Sequence, residues 1–254
     1  MTNTVDTNIL IAALDDPDRS LRHEAAIALG GVHTDAAAQA LVAHLGAESD
    51  CFVREALTWA TVQAGARAVP GVLAQLRSPE AGVRMQAAHV LSKIGDPDHA
   101  EHLVPVVADA DPQVAVKAYR AAANTGHPDV VPALAGRLGD GDLEQRDALT
   151  SAFATLGETG VGTLVAALAD DSADVRAHAA DTLGHLGSPL ADAAAGALAG
   201  LLGDADADVR FAAVSALGEL DPEAAATALG QAEASADPVV SRVARHLLGR
   251  SAAS

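Results

Sequence analysis

The stretch DDSADVRAHAADTLGHLG, residues 170–187, returns as GDADADVRFAAVSALGEL at 203–220. It returns again as SPEAGVRMQAAHVLSKIG at 78–95 and as DPDRSLRHEAAIALGG at 16–31. Looser copies are SDCFVREALTWATVQAG (49–65), ADPQVAVKAYRAAANTG (110–126), DLEQRDALTSAFATLG (142–157) and ADPVVSRVARHLLG (236–249). Each copy starts with turn and capping residues, continues with small apolar residues at helical spacing, and usually stops at glycine. Aligned on the residue before the usual arginine, the units register at Leu21, Val53, Val83, Val114, Gln145, Val175, Val209 and Val240. The spacing is 30 to 34 residues, so internal repetition organises the whole chain.

Between these blocks runs a second, looser helical segment, as in AAAQALVAHL (36–45), AVPGVLAQL (68–76), HLVPVVADA (102–110) and VVPALAGRL (130–138). Pro70, Pro105 and Pro132 are expected in first helical turns, where a missing N–H costs no intrahelical bond. Each unit therefore reads as a helix–turn–helix. One such pair cannot bury its apolar face, but a stack of pairs gives a continuous core. The expectation is an all-α chain of about sixteen helices without strands. It forms one domain over 1–254, with repeats near 1–33, 34–65, 66–95, 96–126, 127–157, 158–187, 188–221 and 222–254.

The motif D-x-x-V-R-x-x-A-A-x-A-L-G at this period resembles HEAT repeats, in particular the short HEAT-like repeats first associated with phycobilisome lyases. The resemblance covers essentially the whole chain. It implies a right-handed α-solenoid of about eight repeats, and it is weak for function because such repeats serve enzymes, chaperones and scaffolds alike.

Composition narrows the function. Half of the 254 residues are apolar but only 2% are aromatic, so Ala, Leu and Val carry the burial, as suits thin layers of closely spaced helices. The formal charge is −18, and Lys93 and Lys117 are the only lysines. Nucleic acid binding, which needs clustered cations to displace counterions, is not expected. Cys51 is the single cysteine, so neither an intrachain disulfide nor a CxxC metal site can form. No stretch reaches the ~20 apolar residues of a membrane helix, and the N-terminus lacks the basic region and cleavage site of a signal peptide. A cytoplasmic protein is the expectation.

With the aligned residue as position zero, positions +4, +5, +7 and +8 are small or apolar, the buried stripe of a helix. Arginine at +1 (Arg22, Arg54, Arg84, Arg146, Arg176 and Arg210) is expected to pair with loop carboxylates. Aspartates recurring at helix starts, from Asp15, Asp16 and Asp18 to Asp204, Asp206 and Asp208, read as caps. Positions +2, +3 and +6 vary, and in the repeats that the chain resembles they line the concave face where ligands bind. Carried over by position in the first four units, that lining contains His23, Glu24, Glu55, Trp59, Met85, Gln86, His89, Lys117 and Arg120. Phe52 and Cys51 are expected at its rim, with Tyr119 close by. Trp, Met and Arg favour interface centres. The expected function is a non-enzymatic scaffold or adaptor for a protein or peptide, with Lys117 and Arg120 pairing with partner carboxylates and Glu24 and Glu55 with basic groups. No catalytic residue, metal or cofactor is assigned.

LRHEAAIALG (21–30) also resembles the His-Glu motif of deoxyhypusine hydroxylase, a HEAT-repeat enzyme with two irons. That site needs several His-Glu pairs, and the corresponding Glu55-Ala56, Met85-Gln86 and Ala177-His178 do not supply a second. One metal held by His23, Glu24 or Glu55, and His89 is the alternative left by residue chemistry. A tetrapyrrole contacted by Cys51, Met85, Trp59 and His89 is another, and an assembly factor for another enzyme would need the same groove. Nucleophilic catalysis has no support, since no serine sits in a GxSxG turn and no phosphate loop is present. The rather apolar first helix, VDTNILIAALDD, leaves self-association through that end as an expectation to test.

Overall fold

The computed structural model describes residues 6–251. The chain divides into two compact units, Met1–Thr125 and Gly126–Ser254. Among the described residues there are helices and turns and no strand. The first unit holds α1 (Thr7–Ala13), α2 (Arg19–Gly30), α3 (Asp35–Leu45), α4 (Cys51–Ala64), α5 (Val69–Gln75), α6 (Ala81–Ile94), α7 (Ala100–Val107) and α8 (Pro112–Asn124). The second holds α9 (Val131–Ala135), α10 (Leu143–Leu156), α11 (Glu158–Ala167), α12 (Ala173–Leu186), α13 (Ala195–Gly200), α14 (Ala207–Leu217), α15 (Pro222–Glu233) and α16 (Pro238–Ser251).

Each unit is two layers of helices. The even-numbered helices carry the Val-Arg motif and pack in succession: α2 on α4, α4 on α6 and α6 on α8, then α10 on α12, α12 on α14 and α14 on α16. The odd-numbered helices form the other layer, with α3 against α1 and α5 in the first unit, and α9 against α11 and α13 against α15 in the second. The core lies between the layers on the stripe that the spacing predicts. Leu57, Leu91, Leu149, Phe153 and Leu183 from positions +4, +8, +4, +8 and +8 are fully buried. Truncating such a leucine to alanine costs about 2–5 kcal/mol.

Close approach explains two of the glycines at position +9. A Cβ on Gly184 would stand 2.9 Å from the Ala216 Cα, and one on Gly30 would stand 3.0 Å from the Ala60 Cα. A side chain there would force consecutive even helices apart. Gly95 ends α6 in the left-handed region at φ 63°, and its N–H reaches the Leu91 carbonyl.

The loops are tied by the +1 arginines. Arg22, Arg84 and Arg176 each present a two-pronged fork to one carboxylate in the next turn: Glu48 (2.8 and 3.1 Å), Asp109 (2.7 and 2.8 Å) and Asp204 (2.8 and 2.9 Å). Arg210 sends both prongs to one oxygen of Asp237, at 2.9 and 2.6 Å. In all four the Nη1 donates to backbone carbonyls five and six residues back, such as Asp16 and Pro17 or Asp170 and Asp171. One side chain thus closes its own loop and fastens it to the next. The arginine hydrogen bond holds Glu48, Asp109, Asp204 and Asp237 below the ordinary carboxylate range. Arg54 makes only the backbone half of this arrangement, and Arg146 adds a long 3.6 Å pair with Asp174. Of the other loop aspartates, Asp18, Asp50, Asp111, Asp142 and Asp206 accept N–H bonds at the starts of α2, α4, α8, α10 and α14, whereas Asp15 and Asp16, also expected as caps, pair instead with His44 and with the Asp18 N–H. Each cap contributes about 1 kcal/mol.

Four expectations need correction. Pro105 lies inside α7 rather than in its first turn, because Pro97–His99 forms a separate 3₁₀ turn and α7 begins only at Ala100. Tyr119 is 1% exposed and belongs to the core, since it occupies position +5 on the stripe. Leu21, an alignment position, is 45% exposed near the start of α2, where only the short α1 precedes it. Position +3 is not uniformly open, since Gln86 and His178 are buried there. In the first helix Ile9 is 64% exposed, while Val5 falls outside the described residues. Among the described residues no helix is long and apolar enough to cross a membrane.

Candidate functional site

The open face of α4, α6 and α8 carries a connected set of polar and aromatic side chains. Phe52, Glu55 and Trp59 follow one another at helical i, i+3, i+4 spacing along α4 and are all exposed. The Trp59 Nε1–H donates to Glu55 Oε1 at 2.9 Å. The other oxygen, Glu55 Oε2, faces His89 Nε2 of α6 at 3.6 Å. Lys93, one turn further along α6, places its Nζ 5.2 Å from the centre of the Trp59 ring, a cation–π geometry. Glu55 therefore spans two helices, and Trp59 is held between a carboxylate and an ammonium.

His89 is the electrostatic centre. Burial pushes its pKa down, the nearby Lys117 of α8 pushes the same way, Glu55 opposes, and Lys93 adds a smaller downward push. The imidazole is thus held neutral at neutral pH. Its Nδ1 is buried and has no hydrogen-bond partner, a cost that folded proteins usually avoid. Further along, His23 of α2 stacks on Phe52 of α4, with centroids 4.1 Å apart and planes 9° from parallel.

The structure thus brings Glu55, Trp59, His89 and Lys117 together and adds Lys93, which the sequence reading missed. Lys93 sits at position +10, beyond the window taken for the lining, and its i+4 spacing from His89 was the available signal. His23 forms a separate stacked pair with Phe52. Glu24 and Arg120 are exposed on α2 and α8, and Met85 is half-buried on α6. Gln86 is only 8% exposed, which corrects its placement in an open lining. Position +3 is buried at Gln86 and His178 but exposed at Glu24 and half-buried at Lys117. Among the described residues no three His, Cys, Asp or Glu side chains are grouped so that they could hold a metal ion. His23, Glu24 and His89 therefore do not make the metal site considered from sequence: His23 is engaged with Phe52, and His89 turns to Glu55.

In the second unit the same positions do different work. His178, at +3 on α12, is buried. The Gly139 N–H donates to His178 Nδ1 at 3.1 Å, which leaves the proton on Nε2, within 3.2 Å of the Arg146 carbonyl and of Thr150 Oγ1. Thr182 Oγ1 donates to the His178 carbonyl at 2.7 Å. Burial lowers the His178 pKa. Asp181, at +6, touches solvent at the mouth of an open cleft of about 410 Å³ with His185, Ser215 and Glu219. The surrounding protein still desolvates it enough to push its carboxyl up.

Residues 7–62 and 161–249, more than half of the chain, match the family described as HEAT repeats. Among solved structures the chain is similar to the CpcE–CpcF complex of phycocyanin lyase from Nostoc sp. PCC7120, at 26% identity over 96% of this chain and 95% of that one, with a TM-score of 0.44. It is similar to human deoxyhypusine hydroxylase in complex with glycerol, at 23% identity over 96% and 95%, with a TM-score of 0.41. An engineered protein is 23% identical over 95% of this chain and 77% of that one, with a TM-score of 0.44. No curated protein matches the chain.

Proposed function

The chain belongs to the HEAT-repeat family, and on that premise we propose that it is a non-catalytic scaffold that binds a protein or peptide segment on the open face of α4, α6 and α8. One observation carries the reading. The only tryptophan and the only two lysines of the chain converge on one face around a desolvated histidine. Trp59, 48% exposed, is the apolar anchor of this face. Leaving a tryptophan in water is unfavourable, and covering it with a partner recovers that burial. Glu55 is not a free acid for a basic partner, because it is already shared between Trp59 and His89. Its role is to fix the indole plane.

The test is selection of peptides from a displayed random library on the full chain. Selected peptides are then measured against Trp59→Ala and Trp59→Ala/Arg120→Ala, each checked for an unchanged melting curve. The expected result is a loss of at least about tenfold in affinity, as for an interface anchor. Peptides that bind the folded variants as well as the parent would place recognition elsewhere.

A further inference from the structure

Nine arginines are engaged with carboxylates or backbone carbonyls, within a loop or across repeats: Arg19, Arg22, Arg54, Arg67, Arg84, Arg137, Arg146, Arg176 and Arg210. The lysines do not share that work. Lys93 is directed at an aromatic ring, and Lys117 makes no ion pair among the described residues. Both still act electrostatically on His89. Arg120 lies on α8 within one turn of Lys117, is exposed, and makes no ion pair among the described residues. In a chain of net charge −18, Lys93, Lys117 and Arg120 thus share one small face beside an exposed tryptophan, while Arg77 after α5 and Arg242 and Arg245 on α16, also exposed, belong to other elements. Glu55 is the carboxylate that opposes them at His89, and it is already engaged.

We infer that the occupant of this face is an acidic peptide segment, with its carboxylates between Lys93 and Lys117, close enough to His89 to act on it through space, and an apolar residue on Trp59. This deepens the scaffold reading and rests on it. Charge complementarity is the argument: the segment's carboxylates neutralise two ammonium groups that now repel protonation of His89. Around His89 the charged groups are Glu55 from α4, Lys93 from α6 itself and Lys117 from α8. Adding negative charge among them favours the imidazolium, so binding takes up a proton and tightens as pH falls.

The experiment is fluorescence anisotropy of a labelled peptide of eight glutamates around a central leucine, titrated with the full chain at low salt. Glutamate stays ionised well above about pH 4.3, so the peptide keeps its charge through the histidine range. The inference expects binding that tightens about tenfold between about pH 7.5 and about pH 5.5, and a flat profile in His89→Gln. Lys93→Glu/Lys117→Glu should weaken binding by at least about tenfold, and if that pair melts early, Lys117→Gln should still weaken it about threefold. Unchanged affinity in the folded charge variants, tighter binding of an octalysine peptide, or binding of oligothymidylate in place of the glutamate peptide would each overturn it. Library peptides that need Trp59 but carry no acidic excess would overturn this inference alone and leave the scaffold reading standing. Peptides indifferent to Trp59 would remove both.

Discussion

His89 and His178 occupy corresponding helices of two repeats, α6 and α12, and burial lowers the pKa of both. They differ by three positions in the repeat, at +6 and +3. At +3 the ring enters the seam between consecutive even helices. There both His178 nitrogens have partners from Gly139, Arg146 and Thr150. At +6 the ring is only partly covered, and His89 has one long contact to Glu55, a buried Nδ1 without a partner, and two lysines that act on it through space. The same side chain, equally desolvated in direction, is a closed structural bond in one unit and an unfinished one in the other. The +6 residues follow that division only in part: Ile27, Trp59, His89 and Arg120 in the first unit against Ser151, Asp181, Ser215 and His246 in the second. Repetition fixes where a side chain points, and residue identity then decides whether the position is satisfied inside the fold or from outside it.

The largest expected effect that sharpens this contrast is on stability. His178→Ala removes the acceptor for Gly139 N–H and opens a cavity in the α10–α12 seam, for a loss of about 2–4 kcal/mol in urea unfolding. His89→Ala relieves an orphaned group and should cost less than about 1 kcal/mol. Equal losses would erase the distinction. Gly184→Val comes next, with about 1–3 kcal/mol lost as α12 and α14 are pushed apart at Ala216.

The pH dependence is smaller and has a defined sign. Both histidines have folded values below the ordinary 6.5, so the unfolded chain binds the proton more tightly. Their contribution is complete above about pH 6.5 and is lost as pH falls through the folded values. Thermal melts between about pH 7.5 and about pH 5.5 should show this decline, and His178→Gln should remove much of it. The paired carboxylates Glu48, Asp109, Asp204 and Asp237 act in a lower window, with stability lost as pH falls below about 4 through their depressed values. The smallest effect is Trp59→Ala, within about 0.5 kcal/mol in melting, because the indole is half exposed and lies outside the core. A large loss there would make Trp59 a structural residue and weaken the case for an open face.

The fold was legible because its signal is written eight times. One misread unit, such as Gln145 at an apolar position, is outvoted by the others, and the structure gives Gln145 its own reason as half of a capping box with Asp142. The +1 arginines and loop aspartates were legible for the same cause. The face was only partly legible. Helical periodicity assigns a side chain to a sector about one residue wide, and Gln86 and His178 fall on the edge of that sector, where the neighbouring helix covers them. Lys93 escaped because its role depends on the reach of a long side chain across to α4. The Glu55–His89 contact joins two repeats, and no spacing within one repeat can announce it.

The most direct measurement is two-dimensional amide NMR of the full chain titrated with the glutamate–leucine peptide at about pH 6. The account predicts shifts confined to α4, α6 and α8, with movement of the Trp59 indole N–H signal and a rise in the His89 pKa. Shifts on α10, α12 and α14 instead, or a Trp59 indole that does not respond while other residues do, would contradict it.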